Sequence, residues 1–513
     1  MAETPMPALL PTLNGRSVLV LGLGISGLAM VRTCASSGAV VTVADTRSAP
    51  PHASTLAQEL PGVKVICAPF DESLFASGSW ALVCRSQGIA PAQMAGLRQA
   101  ASATGVPVVG ELDLFAMALE ALAQSQAYAP KVVAITGTNG KTTTTSLTGH
   151  LLREVGWDVE VAGNIGYALL DALRDRVQKG QLPQAWVLEL ASFQLDEVQR
   201  FEPSVATVLN VTQDHLDWHG DMQAYASAKA RIFGQTGHMV LNRDDETVMS
   251  WCPQPTQVRE GNRNKNVPAR SHQTFGAGQP QGPGDWGLET VNGMTWLVRA
   301  QPLDDAQRPG KAPANVYLQR LMPAEALRIR GRHNACNALA ALALATAVGA
   351  PLAPMLHGLR DYRGEPHRVE SVAIVNEVEY FDDSKGTNVG ATLAALNGLG
   401  ADRRLVVILG GEGKGQDFSP LAPAVAAHGR AVALIGRDAE LIRAALAATK
   451  VPMAGFSNLP EAVNWCAEQA CSGDAVLLSP ACASLDMFKD YAHRAQVFVD
   501  AVKRLQEAGG TPV

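Results

Sequence analysis

One stretch restricts this chain more than any other. The apolar, β-branched run Val132-Val133-Ala134-Ile135-Thr136 breaks at Gly137 and passes through Thr138-Asn139-Gly140-Lys141-Thr142-Thr143. It then continues as Ser146-Leu147-Thr148-Gly149-His150-Leu151-Leu152, which has helical spacing. That order reads as strand, phosphate loop, helix. A Gly-containing turn at a helix N-terminus exposes backbone N–H groups to phosphate oxygens, Lys141 adds a point charge, and the Thr142 hydroxyl can reach Mg²⁺. The strict motif would place glycine at position 135, where this chain has Ile135, so the loop is a shortened relative. The alternative is an ordinary strand-to-helix turn.

With 513 residues the chain is too long for one core, and at ~150 residues per domain about three are expected. A net charge of -6 supplies no basic field for nucleic acid or anionic lipid, so a small-molecule partner is expected. The eight cysteines include no C-x-x-C pair, which argues against a zinc ribbon or a disulfide framework and suits a reducing cytoplasm. Met1 to Pro11 lacks a secretory signal. The alanine-rich stretch Ala338 to Val348 is stopped by Gly349 and Pro351 before spanning length, so it reads as a buried helix and not a membrane span.

The opening unit has a buried strand, Ser17 to Leu21, then Gly22-Leu23-Gly24-Ile25-Ser26-Gly27, an apolar helix, and a second strand, Val40 to Ala44, closed by Asp45. This is the layout of a dinucleotide-binding βαβ unit and by itself suggests an NAD-dependent oxidoreductase. The glycines, however, require only close approach to some diphosphate, and a second phosphate loop follows a domain later. A nucleotide-linked substrate is therefore an alternative to the dinucleotide, and a purely structural tight turn is the lesser reading.

Runs at Val63 to Ile66, Ala81 to Cys84 and Val106 to Val109 continue a parallel sheet to about Gly110, and Glu111 to Ala127 reads as a helix. Further strands are expected at Ala185 to Leu190 and Val205 to Val211, with polar residues Glu189, Ser192, Asn210, Asp214 and His215 gathering at their carboxyl ends. From about Trp251 to Ala314 the composition turns to Gln, Pro, Gly, Asn and Arg. It reads as a surface excursion, with a possible hairpin from Trp286 to Val298 around Asn292-Gly293. Near Pro366 another α/β unit begins, with strands at Val372 to Val375, Leu405 to Leu409, Ala431 to Ile435 and Ala475 to Leu478. The fold class is α/β in three domains: a Rossmann-like N-terminal nucleotide-binding domain (1–110), a central P-loop ATPase domain with a parallel sheet (111–364, excursion near 251–314), and a C-terminal Rossmann-like domain (365–513).

Several motifs together, in order, resemble the Mur ligase family: Thr136 to Thr142, Gly163-Asn164-Ile165-Gly166, Glu189 to Leu195, Asp214-His215-Leu216-Asp217 and His333-Asn334-x-x-Asn337-Ala338. Pro366-His367-Arg368, Asp383 to Asn388 and Ser479 to Asp486 are similar to the branch that joins D-glutamate to UDP-N-acetylmuramoyl-L-alanine. The resemblance implies that ATP phosphorylates the substrate carboxylate and that the amine of D-glutamate attacks the acyl phosphate. It implies an ATP site at Gly137, Thr138, Asn139, Gly140, Lys141, Thr142, Thr143, Asn334, Asn337, Arg368 and Asp383, although helix capping alone would explain an Asn at position 334. Thr142 and Glu189 would hold one Mg²⁺. His215 and Lys229 would hold a second, Lys229 being carbamylated by CO₂, since a lysine cation is no metal ligand as such. From the residues alone Lys229 reads as a solvated helix lysine, and His215 is balanced between a structural histidine and a metal ligand. Asn164 and His215 would lie near the activated carboxylate. D-glutamate would be held by Lys385, Thr387, Lys414, Ser484, Leu485 and Tyr491, and the UDP part by Ile25, Ser26, Asp45, Thr46, Arg47 and Gly88. The implied protein is a cytoplasmic monomer whose catalytic set is Lys141, Asn164, His215, Lys229 and Lys385.

Three positions depart from the family pattern: Glu412 for Asp, Gln87 for Pro, and Tyr491 for Phe. A sister ligase or a folylpolyglutamate synthetase is the rival within the family, against which Asp383-Ser384-Lys385 argues. The rival from another class is the oxidoreductase.

Overall fold

Strands that are apolar on both faces need helices on both sides, and the sheets here are built that way. The computed structural model describes residues 8–508 apart from 77, 197, 261–262, 268, 304–315 and 402. It is an α/β protein with successive parallel sheets. The first has five strands in the order Lys64–Cys67, Val40–Asp45, Ser17–Leu21, Leu82–Arg85, Val108–Val109, all parallel. Its central strand is buried from Val18 through Leu21, and the reversal of strand order around it opens a crevice at the carboxyl ends. Gly27 is set so close to Gly22 that a Cβ there would collide with the Gly22 carbonyl.

The second sheet has six parallel strands in the order His272–Phe275, His238–Asn242, Val205–Val208, Lys131–Thr136, Ala185–Glu189, Val159–Gly163. The helices Lys141–Glu154 and Arg332–Ala347 pack on one face, where Val133, Ile135, Leu147 and Leu151 share a core with Leu339 and Leu342. Each such leucine contributes roughly 1.5–3 kcal/mol through burial. Alanines on Arg332–Ala347 let it approach closely. Among the described residues no helix is long and apolar enough to cross a membrane.

The third sheet runs Glu370–Val375, Val378–Asp382, Ala475–Leu478, Leu405–Gly410, Gly429–Ile435, Met453–Phe456, parallel except for the first pair. That antiparallel hairpin turns at Asn376 and Glu377, whose φ values of 51° and 63° make the turn without a glycine. This is why the strand Val378–Asp382 escaped the sequence pattern.

The excursion is more structured than its composition suggests. His272–Phe275 completes the second sheet, and Trp286–Val291 and Met294–Pro302 form the hairpin at Asn292-Gly293, extended by Val316–Pro323. Trp286, Leu297 and Met322 are buried in the core shared with Arg332–Ala347, so the face is a packed layer and not a surface loop. Residues 304–314 of the excursion lie outside the described residues.

Candidate active site

The strand Lys131–Thr136 ends at a loop that only Gly140, at φ 82°, lets turn into the helix Lys141–Glu154. Asn210 holds the loop: its Oδ1 accepts from the Asn139 amide at 2.8 Å, and its Nδ2 donates to the Asn139 carbonyl at 3.1 Å. Thr138 Oγ1 donates to the Thr212 carbonyl at 3.1 Å and meets Tyr225 OH at 3.1 Å. Lys141 folds back along the loop, its Nζ donating to the Gly137 and Thr138 carbonyls at 2.9 Å each. Burial pushes this amine below its ordinary pKa, Glu189 opposes, and Arg368 adds to the lowering.

Glu189 is paired with Ile135 in the sheet register, so its side chain stands beside the root of the loop. Its Oε1 accepts from Asn164 Nδ2 at 3.1 Å, while Oε2 is buried with no hydrogen-bond partner among the described residues. A buried carboxylate oxygen left bare is costly, and a cation would satisfy it.

Lys229 is 1% exposed. Its Nζ donates to the Gly137 carbonyl at 2.9 Å and to Thr136 Oγ1 at 3.4 Å, and lies 4.6 Å from the centre of the Tyr225 ring. Burial, and then the charge of Lys141, holds the amine well below the ordinary lysine range. The solvated helix lysine suggested by the residues alone is thereby corrected: its neighbours come from a strand end about ninety residues earlier. His215 sits at φ 50° with its ring exposed, Nε2 3.7 Å from Asp214 Oδ2 and its edge against Phe193.

The third sheet contributes across the cleft. Arg368 Nη2 donates to Thr142 Oγ1 at 2.6 Å. Asp383 accepts from Ser479 Oγ at 2.6 Å, and burial pushes its pKa up to about 7. One cleft is lined by Asn139, Gly140, Thr143, Asn334, Asn337, Arg368 and Asp383, together with His333, part of the motif but given no role there, and Val369 and Ala394, which the sequence did not single out. Gly137, Thr138, Lys141 and Thr142 form the loop beneath. Asn337 Nδ2 donates to Asn334 Oδ1 at 3.1 Å, and Asn334 Nδ2 to the Arg330 carbonyl at 2.8 Å.

Lys385 Nζ lies 5.4 Å from the centre of the Tyr491 ring, its pKa lowered by burial and by Arg368. The Thr387 amide donates to the Lys385 carbonyl at 3.0 Å. Ser484 is buried, while Leu485 and Lys414 are exposed. Arg494, absent from the sequence reading, is fully buried and joins these loops: Nε donates to Ser384 Oγ at 3.0 Å, Nη2 to the Ser384 carbonyl at 2.7 Å and Nη1 to the Cys482 carbonyl at 3.1 Å. No local pattern marks such a residue. Glu412 spends its extra methylene on an ion pair, its Oε1 3.2 Å from Arg437 Nη1.

At the carboxyl end of the first sheet a cavity of about 500 Å³ is lined by Ile25, Ser26, Asp45, Thr46, Arg47 and Gly88, with Phe70, Gln87 and Gln93 beside them. Asp45 accepts from the Leu23 amide at 2.7 Å and from Arg47 Nε and Nη2 at 2.8 and 2.7 Å. Arg47, first among these, holds the Asp45 carboxyl down to about 2. An acid saturated in this way is poorly placed to capture a dinucleotide ribose, whereas Arg47, half exposed, presents positive charge.

Three family models match the chain: Mur ligase MurD-like, N-terminal domain, over residues 16–110; Mur ligase middle domain over 135–276; and Mur ligase, glutamate ligase domain, over 367–482. The UDP-N-acetylmuramoylalanine–D-glutamate ligase of Albidiferax ferrireducens is 58% identical, covering 97% of this chain and 98% of its own. That of Polaromonas is 52% identical over 97% and 99%. The structure of MurF ligase from Thermotoga maritima, in complex with ADP, is 16% identical with a TM-score of 0.56, covering 97% of this chain and 96% of its own, a likeness of fold.

Proposed function

The chain belongs to the Mur ligase family, and on that premise we propose that it adds D-glutamate to UDP-N-acetylmuramoyl-L-alanine, converting ATP to ADP and phosphate, in peptidoglycan precursor synthesis. The observation that carries the reading is the bond from Arg368 to Thr142. It draws loops suited to a dicarboxylate amino acid over a loop suited to a triphosphate.

An oxygen of the substrate carboxylate attacks the γ-phosphorus, the bond to the β-phosphate oxygen breaks, and ADP departs. The amine of D-glutamate, after losing its ammonium proton, attacks the acyl carbon, phosphate leaves with the bonding pair, and the nitrogen's second proton passes to the departing phosphate or to solvent. Every species is anionic, so the protein's part is placement and charge neutralisation. Lys141 and the loop N–H groups hold the β- and γ-phosphates, Arg368 reaches the same phosphates, Asn334 and Asn337 face the adenine, and Asp383 faces the ribose. Asn164, beside Glu189, lies next to the activated carboxylate.

Thr142 and Glu189 suit one Mg²⁺, because Glu189 keeps a bare buried oxygen; bound there, the ion would offset phosphate charge. His215 and Lys229 would hold a second once CO₂ has converted Lys229 to a carbamate, a reaction that suits a buried amine kept below its ordinary pKa. Lys385, Thr387, Lys414, Ser484, Leu485 and Tyr491 take D-glutamate, whose two carboxylates need cationic and hydroxyl donors. In this reading residues 1–110 bind the nucleotide sugar, 111–364 bind ATP and 365–513 bind the amino acid, in a cytoplasmic monomer.

The test is ADP release with UDP-N-acetylmuramoyl-L-alanine while the amino acid is varied. Release that depends on D-glutamate is expected; release with another amino acid, or binding of NADH without binding of the nucleotide sugar, would refute the assignment.

A further inference from the structure

The helix Val389–Gly400, which precedes the strand Leu405–Gly410 of the third sheet, packs against Arg332–Ala347 of the second region, and His333 fills the seam. Its ring lies between Gly331 on its own side and Gly398 on the other. A Cβ at Gly398 would fall within 2.7 Å of His333 Cε1 and closer still to Nδ1. One at Gly331 would stand 2.8 Å from Cε1 and 3.2 Å from the Gly398 Cα. Packed atoms do not tolerate such approaches, so only glycine at 398 lets the helix settle at this depth.

Ala394, one turn before Gly398, directs its carbonyl at the same ring, and burial keeps the imidazole neutral, its pKa down to about 4. Nearer the start of the helix, Gly390 comes up to the phosphate loop: a Cβ there would lie 2.9 Å from Asn139 Nδ2. The seam also borders the nucleotide cleft, since His333, Ala394 and Ala395 line it beside Asn334 and Asn337. The groups that reach the cleft from the third region, Arg368 and Asp383, are therefore in place only when this helix is seated.

We infer that His333 and Gly398 form the seat on which the amino-acid-binding region docks over bound nucleotide, making His333 a positioning residue for ATP. This rests on the ATP reading above. The seat acts through Val389–Gly400 and touches no reacting atom.

The experiment uses the full chain and compares wild type with Gly398→Ala, His333→Ala and the double variant. It measures ATP KM, kcat and calorimetric binding of Mg-ATP and of UDP-N-acetylmuramoyl-L-alanine. The added methyl of Gly398→Ala should raise ATP KM about tenfold or more, with nucleotide-sugar affinity changing less than about twofold because that pocket lies on the first sheet. Removing the ring makes room for the methyl, so His333→Ala/Gly398→Ala should recover part of the loss. A general folding defect would instead lower nucleotide-sugar affinity in parallel with ATP affinity. His333→Ala adds no bulk and should by itself raise ATP KM without weakening nucleotide-sugar binding. Gly398→Ala matching wild type, a parallel loss of nucleotide-sugar affinity, or a double variant no better than Gly398→Ala would overturn the seat. Failure of wild type to bind Mg-ATP would instead remove the functional reading.

Discussion

Replacing Lys229 with alanine separates two roles for a buried lysine. An ordinary lysine amine, pKa near 10.4, is deprotonated in about one molecule in a thousand at pH 7.4, and each unit of lowering multiplies that fraction tenfold. Lys229 is driven well below that value by burial and by Lys141, which raises the share of neutral amine able to attack CO₂. The sign follows: the depressed pKa favours the carbamate, and acidification returns the amine to its protonated form. Lys229→Ala should lose roughly a hundredfold or more of the ADP-release rate, the scale set by removing one preorganised charged group. Short-chain carboxylates, which resemble the carbamate head, should restore part of it. In wild type, removing dissolved CO₂ should lower the rate reversibly, and ¹³C-bicarbonate should give a carbamate resonance that Lys229→Ala lacks. Near-wild-type turnover of Lys229→Ala without additive would refute the reasoning.

Lys141→Ala should abolish ATP-dependent phosphate release while leaving nucleotide-sugar binding intact by calorimetry, because its two bonds lie wholly within the phosphate loop. Asp383, pushed up to about 7, stays protonated in the folded chain between about pH 4 and 7, where an ordinary carboxyl in the unfolded chain ionises. The folded state then binds the extra proton, so this residue's contribution to stability falls as pH rises through that window. Asp383→Asn should remove that fall when denaturant unfolding is compared at pH 5 and pH 8. Arg494→Met strips three donors from Ser384 and Cys482 and should cost roughly 3 kcal/mol by denaturant unfolding, with D-glutamate KM rising more than ATP KM.

What was legible was local. The strand Ala475–Leu478 is the apolar run itself, the phosphate loop shows its strand and helix on either side, and Asn292-Gly293 announces its hairpin. What was not legible depends on distant partners. Tyr225-Ala226-Ser227-Ala228-Lys229 looks like an exposed polar helix, and only the fold brings Gly137 against its amine. Arg494 finds its acceptors on loops folded from elsewhere, and His333 is understood only through Gly398, on a helix of the next region. The excursion misled because glutamines, glycines and prolines interrupt the alternation that would have marked Trp286 and Leu297 as core.

The charges in the cleft argue for closure that depends on ligands. Lys141, Arg368 and Lys385 converge: Arg368 and Lys385 lower the Lys141 pKa, and Arg368 lowers that of Lys385. At Lys141, Glu189 and Asp214 oppose the two cations. Docking the third region brings Arg368 and Lys385 up to Lys141, and these three cations repel one another. A triphosphate and the substrate carboxylates reverse that sign. Solution scattering should therefore show a smaller radius of gyration with ATP analogue and nucleotide sugar together than with neither. Without ligands, raising salt from about 0.05 to 0.5 M should shift the profile the same way by screening the repulsion. Ligand-free and ligand-bound profiles that superimpose at both salt concentrations would mean that the cations carry no part of the closure energy.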